Sequence, residues 1–196
     1  NVGVMKKLVA ATHNKGKLAE MKKLLPDREI LSVGEFDGGV EPEEDGETFR
    51  DNALIKARAA FAASGLPSFG DDSGLCVDAL DGAPGVHSAR YADGPAACNR
   101  KLLEVMRDVP DAARTAHFVS VIAYTDGERE FTVEGRCDGI IMRSESGSGG
   151  FGYDPLFFST DLGKSFGEAS MDEKNSVSHR GRALRLFKEK LIELGL

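Results

Sequence analysis

The chain has 196 residues, 41% hydrophobic and 29% charged, the balance of a globular domain with a core and not of a disordered segment. Lysine and arginine number 25 against 32 aspartate and glutamate, a net charge of −7. That excess of acid argues against a nucleic-acid polymer as partner, because gripping a phosphate backbone calls for a basic face.

Taken in order, the chain alternates strand and helix signals. Met5 followed by two lysines reads as a natural start, with residues 1–5 an extension or a disordered beginning that lacks the apolar core of a secretory signal. Leu8–Ala11 is a short buried strand, followed by a loop at Thr12–Gly16 and a helix to Leu25 that Pro26 ends. Glu29–Val33 is a second strand, and Asp37–Glu47 a glycine- and acid-rich loop. Thr48 with Asp51 caps a helix whose apolar positions Phe49, Ala53, Ala57 and Ala60 share one face, closed by Ser64-Gly65. A strand from Pro67 to Gly70 leads into Asp71-Asp72-Ser73-Gly74, whose local chemistry is that of an Asx-type turn. Asp81–Gly94 is loose, and Pro95 opens a helix to Met106. Thr115–Tyr124 and Arg129–Ile141 are strands joined at Asp126-Gly127. Ser144–Gly152 is a loop, and Leu184, Phe187, Leu191 and Leu194 form the apolar stripe of a last helix. The fold class is α/β with a mixed sheet, in a single domain over 1–196.

No apolar run approaches the roughly 20 residues that span a bilayer. The cysteines Cys76, Cys98 and Cys137 are odd in number and widely spaced, which suits reduced thiols and not a disulfide framework or a zinc site. The expected location is cytoplasmic, with no membrane partner.

Two familiar patterns are decoys. Gly147–Gly152 spells G-x-G-x-x-G, but Tyr153-Asp154-Pro155 follows where a dinucleotide site needs a helix. Gly163-Lys164-Ser165 resembles the tail of a P-loop, yet Phe158 stands where the earlier glycine belongs.

Four segments carry chemistry, and each has a plainer reading beside it. Asn14, Lys15, Gly16 and Lys17 open the first helix, where backbone N–H groups and lysines seat a phosphate, or simply cap a solvated helix. Glu41, Glu43, Glu44, Asp45 and Glu47 crowd one loop, and Asp71-Asp72 adds a carboxylate pair. Together these are hard oxygen ligands for Mg²⁺, or else a surface acidic run and a turn. Phe151 and Tyr153, set among glycines, can stack on a base or pack in the core. Lys174 and Ser178-His179-Arg180 bring donors to the start of the last helix, or form a solvated basic face.

In combination these residues resemble the inosine/xanthosine triphosphate pyrophosphatase family. The likeness is carried by Thr12–Lys17, Asp45-Gly46-Glu47-Thr48-Phe49 with Asn52-Ala53 and Lys56-Ala57, Asp71–Leu75, Gly82–Tyr91, Gly149–Pro155, and Glu173-Lys174 with Ser178–Gly181, in the family's order over Lys7–Leu196. The resemblance implies an elongated mixed β-sheet flanked by helices, in two lobes around a central substrate cleft, and a homodimer that requires Mg²⁺. It implies hydrolysis of ITP, dITP and XTP to the monophosphate and pyrophosphate, clearing them from the nucleotide pool. Residue by residue, it assigns Thr12, His13, Asn14, Lys15, Gly16 and Lys17 to the triphosphate loop. Glu43 and Asp72 become metal ligands, and Asp72 also the proton acceptor. Lys56, Ser73, Phe151, Gly152, Tyr153, Asp154, Lys174, His179 and Arg180 become substrate contacts. His13 stands where the family often has glycine, so the loop backbone and not that side chain carries the role; choosing Glu43 over Glu44 rests on aligning an acid-rich loop.

Donors such as His179 and Arg180 facing a purine 6-oxo group would be left unpaired by the 6-amino group of adenine, a mismatch large enough to discriminate. A related pyrophosphatase for modified pyrimidine or dUTP/dTTP-like nucleotides, and a nucleotide-binding module without catalysis, are the alternative readings.

Overall fold

A computed structural model describes residues 5–36 and 41–196. The residues ahead of Met5, and the first four of the acid-rich loop expected from Asp37, lie outside the described residues. Seven strands are found among those described: β1 Lys6–Ala10, β2 Arg28–Ser32, β3 Ser68–Val77, β4 Thr115–Thr125, β5 Glu130–Ile141, β6 Phe157–Ser159 and β7 Lys164–Ser165. The helices are α1 Lys15–Leu24, α2 Phe49–Ser64, α3 Pro95–Val105, α4 Met171–Val177 and α5 His179–Glu193.

The strands form one open, mixed sheet in the order β2-β1-β3-β4-β5-β6-β7. β1 runs parallel to β2 and β3, while β5–β6 and β6–β7 are antiparallel. The parallel pairs follow from their connections, since β1 and β2 are joined through helix α1 and a parallel neighbour needs such a crossover. β4 and β5 are joined by a short reversal in which Asp126 N–H donates to the Arg129 carbonyl.

Contacts divide the chain into two compact units. One holds residues 1–72, 121–134 and 183–196; the other holds 73–120 and 135–182. β3, β4, β5 and α5 each run from one unit into the other. The first unit buries Leu8, Met21, Leu25, Phe69, Ile122, Leu184, Phe187 and Leu191 together. Three members of the α5 stripe, Leu184, Phe187 and Leu191, therefore lie in a core, as their spacing predicts. The second unit has its own core of Leu75, Val77, Leu102, Met106, Phe118, Ile141, Phe157 and Phe166.

Three features depart from the sequence expectations. Asp71–Gly74 is no turn, for β3 runs unbroken from Ser68 to Val77. The loose stretch Asp81–Gly94 contains a 3-10 segment, Gly85–Arg90, and another, Asp78–Leu80, lies just ahead of it. Finally, α4, β6 and β7 carry little periodicity of their own, although Ser170 and Glu173 close a reciprocal capping box at the start of α4. The decoys stay decoys: a 3-10 turn and β6 follow Gly152, and Lys164-Ser165 is a strand.

Candidate active site

The first unit gathers Thr12–Lys17 with the carboxylates. Asn14 caps α1, its Oδ1 accepting from Lys17 N–H at 3.0 Å. Thr12 Oγ1 accepts from Asn14 N–H at 3.1 Å, and the Thr12 carbonyl accepts from the Ser32 hydroxyl at 2.8 Å. The loop is thus pinned at both ends. No acid lies in the first turn of α1, and Lys15 and Lys17 do, so this helix start favours an anion.

Lys17 Nζ lies 3.4 Å from Asp71 Oδ2. From α2, Lys56 Nζ donates to the Asp71 carbonyl at 2.9 Å, lies 3.5 Å from Asp72 Oδ1 and pairs closely with Glu44. Gly70 makes this meeting possible: a Cβ there would stand 2.8 Å from Lys56 Cβ and 2.9 Å from Ala57 N, so only glycine lets β3 lie this close to α2. A cavity of about 190 Å³ opens here, walled by Thr12, His13, Asn14, Lys17, Glu44, Lys56 and Asp71 among others.

Charge is balanced within this group. Burial pushes the Asp72 carboxyl above the ordinary aspartate range, Lys56 pulls it back, and Glu44 and Asp71 add to the rise. For Lys56, burial works to lower its pKa but is outweighed by Glu44, Asp71 and Asp72, leaving it raised and firmly charged.

Of the two adjacent glutamates, the structure turns Glu44 inward. Glu43 is exposed and does not line the cavity, whereas Glu44 lines it and pairs with Lys56. The loop is anchored by Asn52, buried in α2, whose Oδ1 accepts from Gly46 N–H at 2.8 Å. No periodic signal distinguishes the two glutamates, because the choice depends on this anchor.

The second unit gathers the remaining residues. Gly150 and Gly152 both adopt positive φ, +70° and +58°, which lets the chain bend tightly around Phe151. Asp154, 3% exposed, accepts at Oδ2 from Phe151 N–H at 2.9 Å and from Lys174 Nζ at 2.6 Å. Phe151 stands out at 59% exposure with Lys174 Nζ 4.2 Å and the Arg180 guanidinium carbon 5.4 Å from its ring centroid. Tyr153 faces the other way: it is buried, and its hydroxyl donates to the Ser88 carbonyl at 2.6 Å. Of the two candidate stacking rings, Phe151 is exposed and Tyr153 is buried. His179 and Arg180 open α5, both buried, with the His179 ring stacked on Phe118 at 4.8 Å. Ser73 follows Asp72 along β3, half-buried.

These features define an α/β protein with a helix start free of acids beside a lysine-bridged carboxylate group, and an exposed aromatic backed by two cations. The model of the Ham1 family matches residues 8–190, and the chain belongs to that family. It is 50% identical over 194 residues to the "dITP/XTP pyrophosphatase" of Desulforamulus reducens, covering 96% of each chain. It is 51% identical over 193 residues to the protein of the same name from Pseudomonas aeruginosa, covering 95% of this chain and 98% of that one. Among solved structures, a HAM1 protein from Coxiella burnetii superimposes with a TM-score of 0.90 at 41% identity, over 96% of this chain and all of that one.

Proposed function

We propose that this chain hydrolyses ITP, dITP and XTP to the nucleoside monophosphate and pyrophosphate. Relatives at half identity over nearly the whole length are named dITP/XTP pyrophosphatases. The observation that carries the proposal is the group formed by Asp71, Asp72, Glu44, Lys56 and Lys17 at the start of α1. It combines acids able to take a proton with cations and N–H donors able to hold a polyphosphate.

Mg²⁺ belongs to the same reading. Asp72 and Glu44 offer hard oxygens, and Asp72 Oδ2 is buried without a hydrogen-bond partner among the described residues, an acceptor that a cation would satisfy. No group of three or more His, Cys, Asp or Glu side chains suited to a metal ion is found among the described residues. That suits an ion held by one or two carboxylates and completed by water and substrate phosphate. When bound, it supplies charge neutralisation on phosphate oxygens.

The chain's own residues do the rest. The α1 N–H groups and Lys17 bind phosphate oxygens, and Lys56 offsets charge that builds up on them. Asp72 accepts a proton from the attacking water as its oxygen bonds to the α-phosphorus and the bond to the pyrophosphate oxygen breaks. Its raised pKa suits a base. Phe151 stacks on the purine, with Arg180 and His179 as donors for the 6-oxo group. The whole of 1–196 acts as one catalytic domain, a reading supported by three strands and a helix running through both units. A homodimer and a cytoplasmic setting complete the reading; three cysteines that form no disulfide suit a reducing compartment.

Pyrophosphate release from ITP, dITP, XTP, ATP, GTP and dUTP, with and without Mg²⁺, is the test. Turnover confined to the first three and dependent on the metal is expected. Preference for dUTP, or no turnover of any, would overturn the proposal.

A further inference from the structure

Helix α3 buries Cys98, Asn99 and Leu102, and all but Asn99 join the apolar core of their unit. Asn99 is 5% exposed; its Nδ2 donates to the Gly152 carbonyl at 3.0 Å, and its Oδ1 is buried without a hydrogen-bond partner among the described residues. An orphaned buried acceptor carries a desolvation penalty that a leucine in the same place would not. The helix gains nothing from this amide that an apolar residue would fail to supply. The recipient of its one bond is the loop.

That loop is the Gly150–Asp154 bend. With glycines in the left-handed region on both sides, Phe151 would sample many orientations unless the chain around it were tied. Beside a backbone bond in which Gly167 N–H donates to the Asp154 carbonyl at 3.1 Å, three side-chain ties come each from a different element. Lys174 of α4 holds Asp154, which in turn holds Phe151 N–H. The Tyr153 hydroxyl holds the Ser88 carbonyl, and Ser88 Oγ is itself fixed by accepting from Leu75 N–H at 2.9 Å and donating to the Gly85 carbonyl at 2.6 Å. The third tie is Asn99, which holds the residue next to Phe151.

We propose that Asn99 is a positioning residue for base recognition: by fixing the Gly152 carbonyl it sets the orientation in which Phe151 is offered to the substrate's purine. The inference rests on the preceding reading that a purine nucleotide is the substrate. A ring ordered in advance spares the complex the cost of ordering it. Loosening it weakens binding of ground state and transition state alike, which raises KM and leaves kcat.

Asn99→Leu removes the donor and the orphaned acceptor together. Hydrogen exchange at the amides of Phe151 and Asp154, measured without nucleotide, should quicken several-fold. KM for ITP should rise about five- to tenfold, as expected for losing one hydrogen bond, with kcat within about twofold and Tm no lower than that of the unaltered chain. A lowered Tm with loop exchange and KM unmoved would mean a structural role and overturn the proposal. Should the leucine variant fail to fold, Asn99→Ala takes its place: faster loop exchange with raised KM supports the proposal, and unmoved loop exchange and KM overturn it. Because the exchange measurement needs no substrate, failure of the unaltered chain to turn over ITP would reject the substrate reading and would be told apart from failure of the Asn99 tie.

Discussion

Replacing Gly70 with alanine perturbs the acid–lysine group without touching a charge. The new Cβ would meet Lys56 Cβ at 2.8 Å, Ala57 N at 2.9 Å and the Ala53 carbonyl at 3.0 Å, where ordinary contact begins at 3.4 Å. Two of those three atoms are helix backbone and cannot swing aside, so β3 and α2 must part by about 0.5 Å. Over-packing of this kind costs about 1–3 kcal/mol. In a chain of this size each kcal/mol moves Tm by about 2–4 °C, so a fall of roughly 2–12 °C is expected. The same displacement lengthens the 2.9 Å bond from Lys56 to the Asp71 carbonyl and the 3.5 Å pairing with Asp72. A misplacement of that order in a catalytic group can lower the rate by about tenfold to a hundredfold. Thermal unfolding and steady-state hydrolysis of ITP, on the same preparation, read both effects. A Gly70→Ala protein with unchanged Tm and unchanged kcat/KM would refute the claim that close approach of β3 to α2 builds the site.

Other expected outcomes concern single charges. Asp72→Asn should lower kcat by a factor of at least about 10³ if Asp72 is the base, with Tm at neutral pH equal or higher. The folded pKa of Asp72 is raised, so between its ordinary value and that raised value the folded state holds the proton more tightly than the unfolded state does. Its contribution to stability therefore falls as pH rises through that window, and the asparagine variant should lose this slope in a series of Tm against pH; an unaltered slope would count against the assignment. Lys174→Met leaves the buried Asp154 carboxylate without its ion pair and should cost about 3–5 kcal/mol in denaturant unfolding. Adding Asp154→Asn should recover part of that loss, and a cost below about 1 kcal/mol for the single variant would contradict the burial of the pair. Arg180→Ala should reduce the ITP-over-ATP ratio of kcat/KM by about tenfold or more; a steady ratio would move the 6-oxo contact elsewhere.

The local chemistry of the chain was enough to determine its elements where propensity, capping and burial agree. The Asn14 cap of α1, the Thr48 cap of α2, the Asp126-Gly127 reversal and the α5 stripe all depend on residues within a turn or two of one another. The carboxylate, lysine and aromatic residues were legible as candidate groups, although each segment also had a plainer reading. Tertiary structure alone decided what depends on distant partners. Asp71-Asp72-Ser73-Gly74 has the composition of a turn, but it lies inside β3, which runs unbroken from Ser68 to Val77 and continues past the residues paired with β1. Glu43 and Glu44 are chemically identical neighbours, separated only because the loop is anchored at Gly46 by a side chain of α2 and Lys56 waits on one side. Phe151 and Tyr153 share one loop, yet the Ser88 carbonyl draws one ring inward while Lys174 and Arg180 back the other at the surface. Asn99 looked like any polar helix residue until Gly152, 53 residues away, turned out to be its partner. Sequence states which groups are present and how each short segment folds; which of two equal candidates faces the site is settled by contacts that close only when remote segments pack.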